Sequence, residues 1–130
     1  MLKLSHKQLD VYQYGLKLVT EVYELTKTFP SEERYLLVNQ LRRAVVSVCS
    51  NLAEGAARKS KKETVRFYEI SRSSLVEIDT QIEISLLLQY LKANQIKKME
   101  EYLESCFRMM SKMISNIELG LSEADKRRSE

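Results

Sequence analysis

A chain of 130 residues with 44% hydrophobic and 30% charged side chains can bury a sizeable core, which excludes a disordered polymer. Three glycines, one proline and no tryptophan argue against a turn-rich β fold, and abundant Leu, Lys, Glu, Ser and Ile favour long helices. The net charge of +3 is unevenly spread: residues 42–72 hold eight basic groups against three acidic ones. Residues 1–41 balance, and residues 73–130 are slightly acidic. A local excess of this sign suits phosphate binding.

Cys49 and Cys106 form no Cys-x-x-Cys pair, so two buried thiols in a reducing cytoplasm are expected. The first ten residues, MLKLSHKQLD, have no apolar secretion core. The longest apolar run, Leu86–Leu88, is too short to span a bilayer. The expectation is a cytoplasmic protein with no membrane partner.

Ser5 and Gln8 have capping-box spacing, and Leu9, Tyr12, Leu16, Val19, Tyr23 and Thr26 form a helical stripe behind them. Gly15 inside that stripe would allow close helix packing. Phe29-Pro30 should end this first helix near Thr28. Ser31, followed by Glu32 and Glu33, caps a second helix expected from about Glu32 to about Ala57. A third helix, capped by Ser60 and Glu63, is expected over about Lys61–Leu91. Its apolar stripe is Phe67, Ile70, Ile78, Ile82, Leu88 and Leu91, with Ser71, Ser74 and Ser85 within or beside it. Val65, Tyr68, Leu75, Val76, Ile84, Leu86 and Leu87 spread apolar surface around that helix, which predicts self-association. Asn94 is the expected cap of a fourth helix over about Gln95–Leu119, buried through Met99, Tyr102 or Leu103, Cys106, Met109 or Met110, Met113 and Ile117. Gly120 reads as its C-cap. Four helices with short links predict an all-α, antiparallel up-down-up-down four-helix bundle. It should form one domain over residues 1–121, with a flexible tail at 122–130.

The central stretch LRRAVVSVCSNLAEGAAR, residues 41–58, has two unlike faces. Leu41, Val45, Val48 and Leu52 suit a core, while Arg43, Ser47, Asn51 and Glu54 repeat on a polar side. That polar stripe reads as a hydrogen-bonding network fixing register, with Gln81 or Thr80 of the third helix, or as a ligand- or RNA-facing patch. Arg58, Lys59, Lys61 and Lys62 at the following bend suit phosphate contacts, and Arg42, Arg43, Arg66 and Arg72 extend the patch. Tyr35 and Tyr68 could stack on bases, although tyrosines at helical spacing are more often packing residues.

No catalytic constellation stands out. His6 is the only histidine, which excludes multi-histidine metal sites, and it reads as a solvated residue. No glycine-rich phosphate loop is present. No catalytic residue, cofactor or metal is therefore expected.

Phe29-Pro30, Glu33, Tyr35, Leu37, Gln40-Leu41-Arg42-Arg43-Ala44, Ser47, Asn51 and Ala53-Glu54-Gly55 form one connected pattern. Arg58, Ser60, Glu63, Arg66-Phe67, Ser74, Glu77, Thr80 and Gln81 continue it. Over about residues 9–119 the chain resembles the four-helix-bundle proteins encoded in intervening sequences of bacterial 23S ribosomal RNA genes, often labelled ribosomal proteins. Cys49 stands where such proteins often have proline, and Leu52 where Ile is usual. The resemblance implies a ring-like homo-oligomer, often a pentamer. It also implies similarity to the accessory variability determinant of diversity-generating retroelements, a basic bundle that binds nucleic acid and a reverse transcriptase. The expected function is a non-enzymatic homo-oligomer that binds structured RNA or other nucleic acid through its basic patch. The alternative is an oligomeric scaffold for a protein partner.

Overall fold

The computed structural model describes residues 1–130 and contains four long helices and no strand. They are α1 (Asp10–Thr26), α2 (Leu37–Ala56), α3 (Lys61–Leu87) and α4 (Lys97–Ser129). Helices α1 and α3 each pack on both α2 and α4, so the four form an antiparallel bundle in chain order around its axis. One core of 23 buried apolar side chains runs through it.

Helix α2 supplies the middle of that core. Leu41, Val45, Val48 and Leu52 are fully buried, as their spacing predicts, and Leu37, Val38 and Ala44 widen the stripe. The helix starts five residues later than expected. Ser31–Glu33 form a 3-10 turn instead, Leu36 is the N-cap with no capping side chain, and Glu33 Oε2 accepts from Leu37 N at 3.2 Å. That carboxylate satisfies one of the orphan N–H groups at the helix start.

In α1 the expected stripe is displaced. Val11, Gly15, Leu18, Val22 and Thr26 face the core, while Leu16 and Tyr23 are exposed. Both sets have helical spacing; the buried one contains the residue that lets α2 close in. A Cβ on Gly15 would lie 3.0 Å from Cys49 Sγ. Ser5–Gln8 form a 3-10 turn with no capping side chain, and His6 is buried rather than solvated, 6% exposed. Its ring meets Tyr12 edge-on at 4.7 Å, an arrangement that pairs ring edge with ring face.

Helices α2 and α3 approach closely along a seam of small residues. Ser71, Ser74 and Ser85 are buried on α3 with Leu75, Ile78 and Ile82. Ser71 Oγ donates to Val48 O at 2.7 Å, tying the hydroxyl to the neighbouring helix backbone. At the lower end of the seam, Gly55 lies under the buried Tyr68 ring. A Cβ there would come within 2.8 Å of two ring carbons. Thr64 Oγ1 donates to Gly55 O at 2.9 Å and joins the end of α2 to the start of α3. Ser60 caps α3 as expected, its Oγ accepting from Glu63 N at 3.4 Å. Of the apolar positions expected to be buried on this helix, Ile70 is instead exposed and Phe67 half-buried.

Helix α3 ends at Leu87, not at Leu91. Gln89 adopts φ 64°, Gln89 N donates to Leu86 O, and Tyr90 N donates to Ser85 O. This is the paired closing pattern of a Schellman motif, here with glutamine in the left-handed position. Leu91 is buried beyond the helix, and Leu88 is exposed. A 3-10 turn at Ala93–Gln95 then precedes α4, with Ile96 rather than Asn94 at the cap. Gly120 does not stop α4, which continues in helical geometry through residues 122–129.

These contacts give opposite outcomes for two glycine-to-alanine changes. Gly55→Ala should destabilise the protein by about 1–3 kcal/mol through overpacking against Tyr68. Gly120→Ala, with nothing within 4 Å of its added carbon, should stabilise it by roughly 0.5–1 kcal/mol. Urea denaturation monitored by circular dichroism measures both, and equal effects would contradict the close approach at Gly55.

Candidate nucleic-acid interface

The basic residues marked by the sequence fall into three environments. Arg42 is half-buried and recruited by α1: its Nε donates to Thr26 Oγ1 at 3.0 Å, and the guanidinium lies 4.6 Å from the Tyr23 ring centre. Arg72 donates to Ser111 Oγ at 3.3 Å and links α3 to α4. These two arginines therefore serve packing contacts as well as charge.

Arg58 and Arg66 converge on Phe67, with guanidinium carbons 4.9 and 5.1 Å from its ring centre. Each also carries a carboxylate partner: Glu54, on the last turn of α2, for Arg58 in the turn, and Glu63 on α3, at 3.4 Å, for Arg66. Both pairs are exposed, so each contributes only a few tenths of a kcal/mol. Their role at the turn is to neutralise part of its charge and to cover an aromatic face.

Lys59, Lys61 and Lys62 form the third group. All three are exposed, and none belongs to the four ion pairs of the chain. They sit in the Ala57–Ser60 turn and the first turn of α3, where the free N–H groups and the helix dipole add positive potential. None of these three cations carries a carboxylate partner that an incoming anion would have to displace. Tyr35 is exposed at the opposite end of α2, away from this turn, and Tyr68 is buried against Gly55, so neither offers a stacking face beside these lysines.

The polar stripe of α2 divides in the same way. Asn51 Nδ2 donates to Ser47 O at 2.9 Å and to Ser47 Oγ at 2.8 Å, and Ser74 Oγ lies 3.0 Å from Ser47 Oγ. This three-residue network spans the α2–α3 seam. Gln81 is not part of it: its Nε2 donates to Gln40 Oε1 at 3.3 Å, and its Oε1 is buried without a partner. Glu54 turns to Arg58, while Arg43 is exposed and makes no ion pair. The contact between Ser74 and Ser47 had no marker in sequence beyond the small size of both residues. An open cleft of about 530 Å³ lies over the seam, lined by Asn39, Gln40, Arg43, Ser47, Ser74, Glu77 and Gln81 among others.

No group of three or more His, Cys, Asp and Glu is placed to hold a metal ion, and no helix is long and apolar enough to cross a membrane. Cys49 and Cys106 are free thiols that both approach the core-facing side of α1, near Gly15 and Val11; Cys106 is buried as expected, whereas Cys49 is only half-buried. Cys106 Sγ points at Val11 O, 3.8 Å away. Burial pushes the Cys49 thiol up to about 11; burial and then the nearby Cys49 push Cys106 up to about 12. Neither is a nucleophile at neutral pH.

A match to the 23S rRNA-intervening sequence protein family spans residues 7–112. The chain belongs to that family. It is also similar to a crystal structure of a protein of unknown function from the S23 ribosomal protein family of Bacteroides thetaiotaomicron. The TM-score is 0.73 at 16% identity, covering 80% of this chain and 97% of the other, a likeness of fold. No curated protein matches the chain. The matched span includes the α2–α3 seam and the basic turn, and it ends before the last part of α4.

The thiols predict an alkaline weakness. Below the usual thiol value near 9 both states are protonated and the thiols add no pH dependence. As pH rises from 9 towards 11 and 12, the unfolded thiols ionise while the folded ones do not, so stability falls. Urea titrations at pH 8 and pH 10.5 should show a smaller loss for the Cys49→Ala/Cys106→Ala variant than for the parent chain. An equal loss would mean the thiols are not protected.

Proposed function

We propose that this protein is a non-enzymatic cytoplasmic homo-oligomer, a pentameric ring of bundles, that holds structured RNA through the α2–α3 turn. The observation carrying this reading is the trio Lys59, Lys61 and Lys62, exposed without acidic partners at the positive end of α3. Arg43, Arg58 and Arg66 extend the positive surface, while Arg42 contributes charge from a fixed position against α1. The name of the family, which refers to an intervening sequence in 23S rRNA, favours RNA as the anion. On this reading the protein is functionally similar to the accessory variability determinant of diversity-generating retroelements. The oligomeric part is supported by large apolar side chains left exposed on α3, among them Val76, Ile84 and Leu87.

A second reading, an oligomeric scaffold for a protein partner, is favoured by the exposed Tyr35, Leu36, Leu87 and Leu88 near the end opposite the basic turn. The two readings diverge on salt and charge. Fluorescence anisotropy with a labelled 23S rRNA fragment should show affinity falling linearly on logarithmic axes as salt rises. Replacing Lys59, Lys61 and Lys62 by Glu should weaken binding at least about tenfold and flatten that dependence. No binding at low salt, or binding unchanged in the triple variant, would overturn the RNA reading and favour the scaffold.

A further inference from the structure

Two grooves on opposite sides of the bundle carry opposite charge. Helices α1 and α2 flank one, an open cleft of about 560 Å³ lined by Arg42, Arg43, Asn39, Ser50, Val46 and Tyr23 among others. Its lining holds two arginines and no carboxylate. Helices α3 and α4 flank the other, about 390 Å³, lined by Asp79, Glu100, Glu104, Val76 and Phe107 with Leu75 and Leu103 at its base. Its lining holds three carboxylates and no cation. None of these five charged groups belongs to an ion pair of the chain. Because the helices pack in chain order around the axis, the α1–α2 side lies across the bundle from the α3–α4 side.

Both grooves also leave large apolar groups in water. Val46 is 43% exposed in the basic groove; Val76 is 52% and Phe107 43% exposed in the acidic one. An interface core of this kind gains from apolar contact, and arginine forks pair with carboxylates in the surrounding shell.

We infer that the basic α1–α2 groove of one copy docks against the acidic α3–α4 groove of the next, with Arg43 meeting Asp79, Glu100 or Glu104 across the contact. This rests on the homo-oligomeric reading above and specifies which faces meet. A two-fold contact on either groove would set like charges against each other, so only a head-to-tail arrangement neutralises both faces. Such contacts close into a ring when the rotation between copies closes and run on as a filament when it does not; the ring proposed above is the closed case. Cyclic symmetry then brings every Lys59–Lys62 turn to the same rim, where one RNA can contact several copies. The acidic groove itself repels nucleic acid and is covered by the neighbouring copy.

Charge reversal tests the assignment, because Arg43, Glu100 and Glu104 are all exposed and tolerate substitution without disturbing the core. In sedimentation velocity at low salt, the parent chain should be a multimer. Arg43→Glu, and separately Glu100→Arg with Glu104→Arg, should each raise the dissociation constant at least about tenfold, with helical content unchanged. An equimolar mixture of the two variants should reassociate, because each reversed face then meets its complement. A monomeric parent chain would overturn the homo-oligomeric reading and this assignment with it. A multimeric parent unaffected by either reversal would leave the oligomer standing and overturn the choice of faces. Variants that dissociate but fail to reassociate on mixing would overturn the pairing of the two grooves. Loss of RNA binding in Arg43→Glu with the multimer intact would assign Arg43 to phosphate instead.

Discussion

The close approach of α2 and α3 is the constraint on which the rest of this molecule depends. Small groups face each other along the seam: Ser47 against Ser74, Ser71 against the Val48 carbonyl, and Gly55 beneath Tyr68. Without side-chain bulk between them the two helices hydrogen-bond directly across the gap. Their apolar stripes, Leu41–Leu52 on one and Leu75–Ile82 on the other, then turn inward together. Helices α1 and α4 complete the core against that surface. The seam also fixes where the chain reverses, and therefore where the basic turn stands.

One end of the seam is thus structural and chemical at once. Thr64 holds the Gly55 carbonyl, Ser60 caps α3, and the lysines between and after them are carried on a short, well-tied reversal. Anchored charges lose less freedom on meeting a phosphate than charges on a loose loop. The adjacent arginines behave differently, because Phe67, Glu54 and Glu63 already occupy them. Across the bundle, the α1–α2 and α3–α4 grooves carry charges of opposite sign that have no ion-pair partner within the chain.

Much of the architecture is legible in the sequence, because the α2 stripe has a single apolar face and breakers are scarce. Helix α1 is harder: Leu16 and Tyr23 share the period of Gly15, Leu18 and Val22, and only the close contact with Cys49 decides between the faces. The end of α3 has no glycine to mark it, since Gln89 adopts the left-handed conformation itself. Gly120 carries the usual stop signal but lies in open space within a continuing helix. His6 looks solvated from its position near the terminus and is buried because Tyr12 offers its ring. At the candidate site, a sequence counts charges but not partners. In sequence Arg42 and Arg72 carry the same charge as Lys61, and only the folded chain sets Thr26 and Ser111 beside them.

If the seam is the organising contact, it should also be the last part of the molecule to open. Native-state hydrogen exchange across a urea series measures this residue by residue. The account predicts that amides of Ala44–Leu52 and Ser71–Ile82 exchange only through global unfolding. Amides of α1 and of α4 beyond Ile114 should open at lower free energy. Earlier opening of the α2–α3 amides than of α1 would contradict it.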